Sequence, residues 1–215
     1  YPPVGIINLD PAGPGTASDI KEVCARHFRT YFLNEPLEAH FSKAFIWTWK
    51  LAALSNFEYV LHLEDDWELL EAVNPYMLTG LLGRDPELAL LRLAMFPAGE
   101  EAMKNWSTFY PWNGHYYERP KEKAVEMGFC GHPSLIKMDF IRNTVWLLDS
   151  RKNPEKQFHG GNPMLVDEVK DWKYGVFSTP NSPPLVRDLG RSWMSANGYC
   201  KKGVKAFFLE WEKVA

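Results

Sequence analysis

The chain has 215 residues, of which 46% are hydrophobic and 24% are charged, and its formal net charge is −3 at pH 7. This length and composition fit one globular domain with a sizeable core. The slightly negative charge counts against a broad nucleic-acid-binding surface. No apolar run approaches the roughly 18 residues that a membrane-spanning helix needs.

Three cysteines stand far apart, at Cys24, Cys130 and Cys200. An odd number without a CxxC pair argues against a disulfide scaffold or a zinc site, and it favours a reducing, cytoplasmic compartment. The chain begins at Tyr1 without a methionine, so we expect either a trimmed chain or part of a longer protein with additional domains.

The first half of the chain alternates strand and helix signals. "VGIINLD" (4–10) predicts a buried strand that stops at a Pro/Gly loop. Helical spacing over residues 19–28 leads to a second strand, "TYFLN" (30–34). A further helical stripe over residues 41–52 precedes a third strand over 59–63.

The second half continues the alternation. Strands are predicted for "LALLRLAMF" (88–96), "GFCGHPSLIKM" (128–138) and "YGVFST" (174–179). Helices are predicted within "MDFIRNTVWLLD" (138–149) and "PMLVDEVKDWK" (163–173). Strands that alternate with helices predict an α/β three-layer sandwich with a mostly parallel sheet.

Two long segments, residues 97–123 and 179–203, have no clear periodicity. Loops of this length in a compact domain are usually functional. The first is rich in aromatic residues: Trp106, Tyr110, Trp112, Tyr116 and Tyr117. We expect the stretch 106–117 either to bind an acceptor substrate or to pack against a neighbouring domain.

Three consecutive carboxylates, Glu64, Asp65 and Asp66, end the third strand. Strand alternation directs Glu64 and Asp66 to one side and Asp65 to the other. Ligands of open α/β sheets bind beyond the carboxyl ends of strands, and converging carboxylates suit Mg²⁺ or Mn²⁺. Alternatively, Asp65 and Glu68 form a capping box for a helix over "WELLEAV".

The apolar strand followed by acid-x-Asp resembles the DxD motif of GT-A-fold, nucleotide-sugar-dependent glycosyltransferases. "LEDDWELLEAVNPYM" resembles the EDD variant in N-acetylglucosaminyltransferase I, which a similar helix follows, and "FSKAFIWTWKLAALSNFEYVLHLEDD" is similar to the family-two pattern. The resemblance implies a three-layer α/β/α GT-A domain over 1–215, as in a small viral or bacterial member. Residues 1–96 would bind the nucleotide sugar and residues 97–215 the acceptor.

The resemblance also implies roles for individual residues. Asp66 would bind Mn²⁺ or Mg²⁺ directly, with Glu64 as a further ligand, while Glu64 and Asp65 would contact the sugar, the ribose or metal-bound water. Lys43 would approach the phosphates. The residues implied near the base and ribose are Asn8, Leu9, Asp10, Asn34 and Glu35.

The family usually takes a third metal ligand, often histidine, from a C-terminal loop, but no histidine follows His159. Asp188, in "PPLVRDLGRSW" (183–193), occupies the corresponding region, although it could instead pair with a neighbouring arginine on the surface. Arg187 and Arg191 would meet the diphosphate, since arginine suits forked phosphate contacts.

The segment "NPMLVDEVKDWKYGVFS" resembles the family's later acidic segment, where a carboxylate at a helix start deprotonates the acceptor hydroxyl. Asp167 and Glu168 are both candidates for this base, because the acids stand in inverted order. A solvated helix face that includes Lys170 is the alternative.

The predicted function is metal-dependent transfer of a sugar from a nucleoside-diphosphate sugar, with UDP favoured by the family, to a glycan or other hydroxyl acceptor, with inversion. "AGPGT" (12–16) also resembles the loop of sugar nucleotidyltransferases, but Ala17-Ser18-Asp19 follow where that family has basic residues. A non-catalytic carbohydrate-binding module would explain the aromatic residues and not the acids. A glycoside hydrolase needs two carboxylates and no clustered triad.

Overall fold

The computed structural model describes residues 3–10, 17–95, 111–119, 128–203 and 209–213. The α-helices in these ranges are α1 (Ala17–His27), α2 (Phe41–Ala53), α3 (Pro75–Arg84), α4 (Met138–Thr144), α5 (Pro154–Lys156), α6 (Pro163–Val169) and α7 (Gly190–Ala196). A 3₁₀ turn (Val145–Leu147) follows α4, and a kinked helical turn (Gln157–Gly161) follows α5. The strands are β1 (Val4–Asn8), β2 (Thr30–Asn34), β3 (Tyr59–His62), β4 (Trp67–Leu69), β5 (Leu88–Leu93), β6 (Tyr117–Glu118), β7 (Ser134–Lys137), β8 (Lys173–Phe177), β9 (Val186–Asp188), β10 (Tyr199–Gly203) and β11 (Leu209–Lys213). Within the described ranges, no helix has the length and apolar character needed to cross a membrane.

The two N-terminal strands pair in parallel, with Val4 opposite Thr30 and Asn8 opposite Asn34. Their β-branched and aromatic residues favour extended backbone. The prediction of both strands is confirmed, and β2 has the predicted bounds. Because the pair is parallel and in this register, Asn8 and Asn34 lie side by side at its carboxyl end.

The central sheet has five strands in the order β3-β7-β5-β8-β6. β5 and β8 are parallel, whereas β7 is antiparallel to both β3 and β5, and β6 is antiparallel to β8. The α/β class is therefore confirmed, as a mixed sheet flanked by helices. Three strands, β3, β5 and β8, run in the same direction, whereas β7 and β6 run against them, so most neighbouring strands in this mixed sheet are antiparallel.

The side chains on the two faces of the sheet belong to two separate hydrophobic cores. The first lies against α2, α4 and α6, and its sheet residues include Leu90, Ile136 and Tyr174. The second lies against α3, and its sheet residues include Leu91, Leu135 and Phe177. Since successive residues of β5 and β7 enter opposite cores, helices cover both faces of the sheet.

The segment after the three carboxylates is a strand, not the helix predicted over "WELLEAV". β4 pairs antiparallel with β9, with Trp67 opposite Asp188. A capping box of Asp65 and Glu68 is therefore excluded, because no helix begins there. Helix α3 begins eight residues later, at Pro75.

Asn-Pro pairs open three of the helices. Asn74, Asn153 and Asn162 each precede a proline, and each side chain accepts a hydrogen bond from a first-turn N–H. Asparagine is a favoured N-cap, and proline suits the first helical position because its missing N–H is not needed there. These pairs fix the starts of α3, α5 and α6.

The segment 179–203, predicted to be irregular, contains β9, α7 and β10. Of the aromatic stretch 106–117, residues 106–110 lie outside the described residues. Trp112 and Tyr117 form an antiparallel bridge, and their ring centroids are 5.2 Å apart.

Replacing Trp49 with Ala should lower the free energy of unfolding by about 3–5 kcal/mol, because a large cavity would remain in the first core. Trp49 is 1% exposed, and its ring lies 4.5 Å from Phe45 and 4.9 Å from Phe129. Trp146, which is 56% exposed, is the matched control. Trp146→Ala should change stability by less than about 1 kcal/mol. Urea denaturation measures both, and equal losses would contradict this description of the core.

Candidate functional site

β3 leads directly into the three carboxylates that the sequence indicated. Glu64, Asp65 and Asp66 occupy the turn between β3 and β4. Glu64 and Asp66 are half-buried, whereas Asp65 is exposed. This division follows the alternation expected of extended chain. The turn thus directs two carboxylates into the protein and one into solvent.

Asp188 joins Asp66 through the β4–β9 ladder. Trp67, the residue after Asp66, is the register partner of Asp188. The Asp66 carbonyl accepts a hydrogen bond from Leu189 N–H at 2.7 Å. Burial raises the pKa of Asp66 to about 6, with further contributions from the charges of Glu64 and Asp188. We call Glu64, Asp66 and Asp188 the carboxylate cluster.

Glu155 is a further carboxylate beside Glu64, and no pattern in the sequence indicated it. Its Oε1 accepts a hydrogen bond from Gly131 N–H. A Cβ at Gly131 would stand 3.1 Å from that oxygen and 3.0 Å from Glu64 Cδ, so both carboxylates approach one stretch of bare backbone. Asn153-Pro154 marks the start of α5 in the sequence, but no local signal shows that Glu155 meets Glu64.

Five buried polar atoms around the cluster have no hydrogen-bond partner among the described residues. They are His62 Nε2, Glu64 Oε1, Asp66 Oδ1, His132 Nδ1 and His159 Nε2. Buried polar groups are nearly always paired, and an unpaired one costs about 1–3 kcal/mol. Their concentration indicates a place where a ligand, an ion or water completes the hydrogen bonding.

Burial disfavours the charged form of two of these histidines. Burial, followed by the charge of Arg92, lowers the pKa of His132 to about 4. Burial also lowers the pKa of His159. Arg92 itself is buried, and its Nη1 donates a hydrogen bond to Cys130 Sγ at 2.8 Å. The region therefore combines carboxylates, neutral imidazoles and one guanidinium group.

A separate cavity of about 610 Å³ lies at the carboxyl ends of β1 and β2. Asn8, Asp10, Asn34 and Lys43, all predicted at the nucleotide, line it. Asn34 Nδ2 donates to Asn8 Oδ1 at 2.6 Å, and Asn8 Nδ2 donates to Asp10 Oδ1 at 2.9 Å. The volume is typical of small-molecule sites. No residue that lines this cavity belongs to the carboxylate cluster.

Leu9 and Glu35, also predicted near the nucleotide, are next to the cavity residues but do not line it. Leu9 N–H donates to the Asn34 carbonyl at 2.9 Å. Glu35 forms an ion pair with Lys21 at 2.6 Å. The backbone of Leu9 thus helps to hold the two asparagines in place.

The predicted diphosphate contacts lie near the cluster in the chain. Arg187 is on β9 and forms an exposed ion pair with Glu68 of β4, with Nε 2.8 Å from the carboxylate. Arg191 belongs to α7, and its side chain lies outside the described part of the protein.

The two predicted bases lie on α6. Asp167 is exposed and forms an ion pair with Lys170 at 2.6 Å, which is the solvated pair that the sequence offered as the alternative. Glu168 is half-buried on the same helix. By contrast, Glu155 contacts the loop that also meets Glu64.

The donor atoms of the carboxylate cluster suit a hard cation such as Mn²⁺ or Mg²⁺, which prefers oxygen ligands. Glu64 Oε1 and Asp66 Oδ1 are unpaired oxygens of this kind. Among the described residues, no three His, Cys, Asp or Glu side chains already stand in a metal-binding arrangement. Water and phosphate oxygens would therefore supply part of the coordination, as they commonly do for Mg²⁺.

No protein-family model matches the sequence, and no curated protein matches it. Eight chains among the solved structures match in a structural comparison. One of them, titled "Crystal Structure of a Mycobacterial Protein", shares 11% identity over 98% of this chain and 74% of that chain, with a TM-score of 0.37. An identity of 11% and a TM-score of 0.37 are too low to assign a fold or a function to this chain from that structure.

Replacing Asp66 with Asn should stabilise the metal-free protein above pH 7. The pKa of Asp66 is about 6 in the folded protein, against an ordinary value of 3.8. The folded state therefore binds this proton more tightly, and stability falls as the pH rises from about 4 through 6. After allowance for solvent screening, the free energy of unfolding of the variant should exceed that of the natural protein by about 1–2 kcal/mol at pH 8. Below about pH 4 the two should be equally stable.

Urea denaturation at pH 4, 6 and 8 measures this difference. Glu71→Gln, which neutralises an exposed carboxylate, is the control and should shift stability by less than about 0.5 kcal/mol at each pH. A variant no more stable than the natural protein at pH 8 would show that Asp66 carries no uncompensated charge.

Proposed function

We propose that the protein is a metal-dependent glycosyltransferase with a GT-A-type fold. It would move a sugar from a nucleoside-diphosphate sugar, with UDP favoured, to an acceptor hydroxyl. The observation that carries this proposal is the carboxylate cluster, where Glu64 and Asp66 hold buried, unpaired oxygens and the pKa of Asp66 is raised. A cluster that served only to hold the fold would pair these oxygens.

Asp66, Glu64 and Asp188 would hold Mn²⁺ or Mg²⁺ on the donor diphosphate. When bound, the ion offsets negative charge on the leaving nucleoside diphosphate as a Lewis acid. Arg187 and Arg191 are proposed to add charge-assisted hydrogen bonds to the phosphates. To do so, Arg187 has to exchange its exposed ion pair with Glu68, which is a weak interaction.

The cavity at β1 and β2 is the proposed site for the nucleoside. Asn8, Asp10 and Asn34 form a hydrogen-bonded chain along one wall, which suits the polar edge of a base or the ribose hydroxyls. Lys43, from the first turn of α2, also lines the cavity and would attract phosphate. Leu9 and Glu35 would support this wall from the adjoining chain.

We propose Glu155 as the base, in preference to Asp167 or Glu168. Glu155 meets the same backbone as Glu64, whereas Asp167 pairs with Lys170 in solvent. The acceptor oxygen would bond to the anomeric carbon while its proton passes to Glu155. The bond from that carbon to the diphosphate oxygen breaks, its electron pair leaves with the nucleoside diphosphate, and the configuration inverts.

UDP should stabilise the protein in the presence of Mn²⁺ and much less without it. At 100 times the dissociation constant, the gain is about 2.7 kcal/mol. Asp66→Ala should abolish the metal-dependent part, and Lys43→Ala should weaken UDP binding about tenfold, as expected when one charge-assisted contact of about 1.4 kcal/mol is lost. Thermal shift and calorimetry measure both effects, with Glu71→Ala as the control.

The donor proposal fails if no nucleoside diphosphate binds in a Mn²⁺-dependent way. Conversion of a nucleoside triphosphate and a sugar phosphate would instead assign sugar nucleotidyl transfer, the alternative that the Gly-rich loop suggested.

Glu155→Gln should reduce the rate of transfer by about 10²–10⁴ and leave Mn²⁺–UDP affinity unchanged, because it removes proton acceptance and keeps the side-chain shape. Single-turnover kinetics with the donor and acceptor found in a substrate screen measure this. Asp139→Asn, on the exposed side of α4, is the control. A comparable loss in Asp167→Asn or Glu168→Gln, with full activity in Glu155→Gln, would place the base on α6.

A further inference from the structure

His62 ends β3, two residues before Glu64, and the proposed catalytic roles do not use it. Its side chain is only 10% exposed, and its Nε2 has no hydrogen-bond partner among the described residues. Glu64 Oε1 is likewise buried and without a partner there, and it lies 3.8 Å from His62 Nε2. A buried nitrogen and a buried oxygen, both unsatisfied, are therefore neighbours.

Three aromatic side chains fix the orientation of the His62 ring. The ring centroids of Phe45, Trp49 and Phe129 lie 5.6, 6.1 and 5.7 Å from that of His62. Each of the three meets the imidazole edge to face, and each is at most 4% exposed. Because protein interiors are close-packed, the imidazole cannot turn over without displacing these rings.

The Trp49 indole decides which nitrogen of His62 carries the proton. Trp49 Nε1 donates a long hydrogen bond to His62 Nδ1, at 3.5 Å. An indole N–H can only donate, so Nδ1 has to accept and the ring proton belongs on Nε2. The nitrogen beside Glu64 is therefore a hydrogen-bond donor. In this tautomer it offers no lone pair to a metal ion.

The Glu64 carboxylate also lies against the bare backbone of Gly131. A Cβ at that glycine would stand 3.0 Å from Glu64 Cδ. A shift of about 0.6 Å toward His62 would bring Glu64 Oε1 within hydrogen-bond distance of Nε2. Since a carboxylate oxygen has two lone pairs, Oε1 can accept from His62 and still meet a cation.

We propose that His62 is a positioning residue, whose Nε2–H donates to Glu64 Oε1 and holds this carboxylate in the carboxylate cluster. Trp49 acts one step further away, by fixing the tautomer of His62. Carboxylates that bind metal ions are commonly oriented by such hydrogen bonds. The part of this inference that concerns cation binding rests on the proposed function, whereas the contact between His62 and Glu64 does not.

Nitrogen-15 NMR of the full chain, labelled at histidine and free of metal, tests the contact directly. The His62 ring should carry its proton on Nε2 and none on Nδ1, and its signals are identified by their loss in His62→Gln. Glu64→Gln should move the Nε2–H proton signal upfield, because a neutral amide is a weaker acceptor than a carboxylate. Glu71→Gln, at an exposed carboxylate, should leave it in place. A proton on Nδ1, or a signal that Glu64→Gln does not move, overturns the inference.

A matched pair of variants separates positioning from packing. His62→Gln keeps a side-chain N–H close to the place of Nε2, whereas His62→Asn keeps a polar group only close to the place of Nδ1. His62→Asn should weaken Mn²⁺ affinity about 10–100-fold, as is usual when a hydrogen bond that orients a metal ligand is lost, and His62→Gln should stay within about threefold. Titration calorimetry of the full chain with Mn²⁺ measures both. His115→Gln, at an exposed histidine, is the control.

Equal losses of Mn²⁺ affinity in the two variants would show that His62 only fills space, and full affinity in His62→Asn would show that Glu64 needs no such partner. Either result overturns the inference, even if Mn²⁺ binding upholds the proposed function. If the natural protein binds no Mn²⁺, the proposed function fails, and the NMR measurement alone decides whether His62 holds Glu64. Urea denaturation shows whether both variants are folded, and the NMR measurement decides likewise if either is not.

Discussion

The burial of neighbouring carboxylates is the constraint around which this part of the fold is organised. Burial, followed by the charges of Glu64 and Asp188, raises the pKa of Asp66 to about 6. The backbone holds them there: the β4–β9 ladder sets Asp188 beside Trp67, and Leu189 N–H binds the Asp66 carbonyl. Strands β4 and β9 pack against the second hydrophobic core, which includes Val186. Burial of apolar side chains thus offsets an electrostatic arrangement that is unfavourable by itself.

Two glycines make this close approach possible. A Cβ at Gly190 would stand 3.0 Å from Asp66 Cγ, and a Cβ at Gly131 would stand 3.0 Å from Glu64 Cδ. Both distances are shorter than ordinary van der Waals contact between such atoms, so a side chain at either position would displace a carboxylate. The acids therefore occupy space that the backbone leaves open. Loops carry the site, and the sheet and its two cores hold the loops in place.

The parts of the site that lie at strand ends could be predicted from the sequence, because they depend on local order. β1, β2 and β3 were recognisable from their composition, and their ends locate Asn8, Asn34 and Glu64. Strand alternation also separates the exposed Asp65 from its neighbours.

Features that depend on distant pairing were not predictable. "WELLEAV" has helical spacing, but the ladder with β9, more than a hundred residues away, makes Trp67–Leu69 a strand. The tertiary fold likewise determines that β7 runs antiparallel to its neighbours in the sheet. It also determines that Glu155 accepts a hydrogen bond from Gly131 N–H. No local pattern carries that information.

The distribution of charge implies an order of events for the proposed reaction. The cavity at β1 and β2 offers neutral amides and the cationic Lys43 to a nucleoside diphosphate. The carboxylate cluster, which shares no residue with this cavity, would repel the same phosphates. In the proposed reaction, a free nucleoside diphosphate would occupy the cavity, and its phosphates would approach Asp66 only after a cation offsets the charge of the cluster. The nucleoside and the cation would thus contribute to donor binding through different residues, Asn8 and Asn34 for the first and Asp66 for the second. Under this proposal, the two contributions would reinforce each other only through the diphosphate.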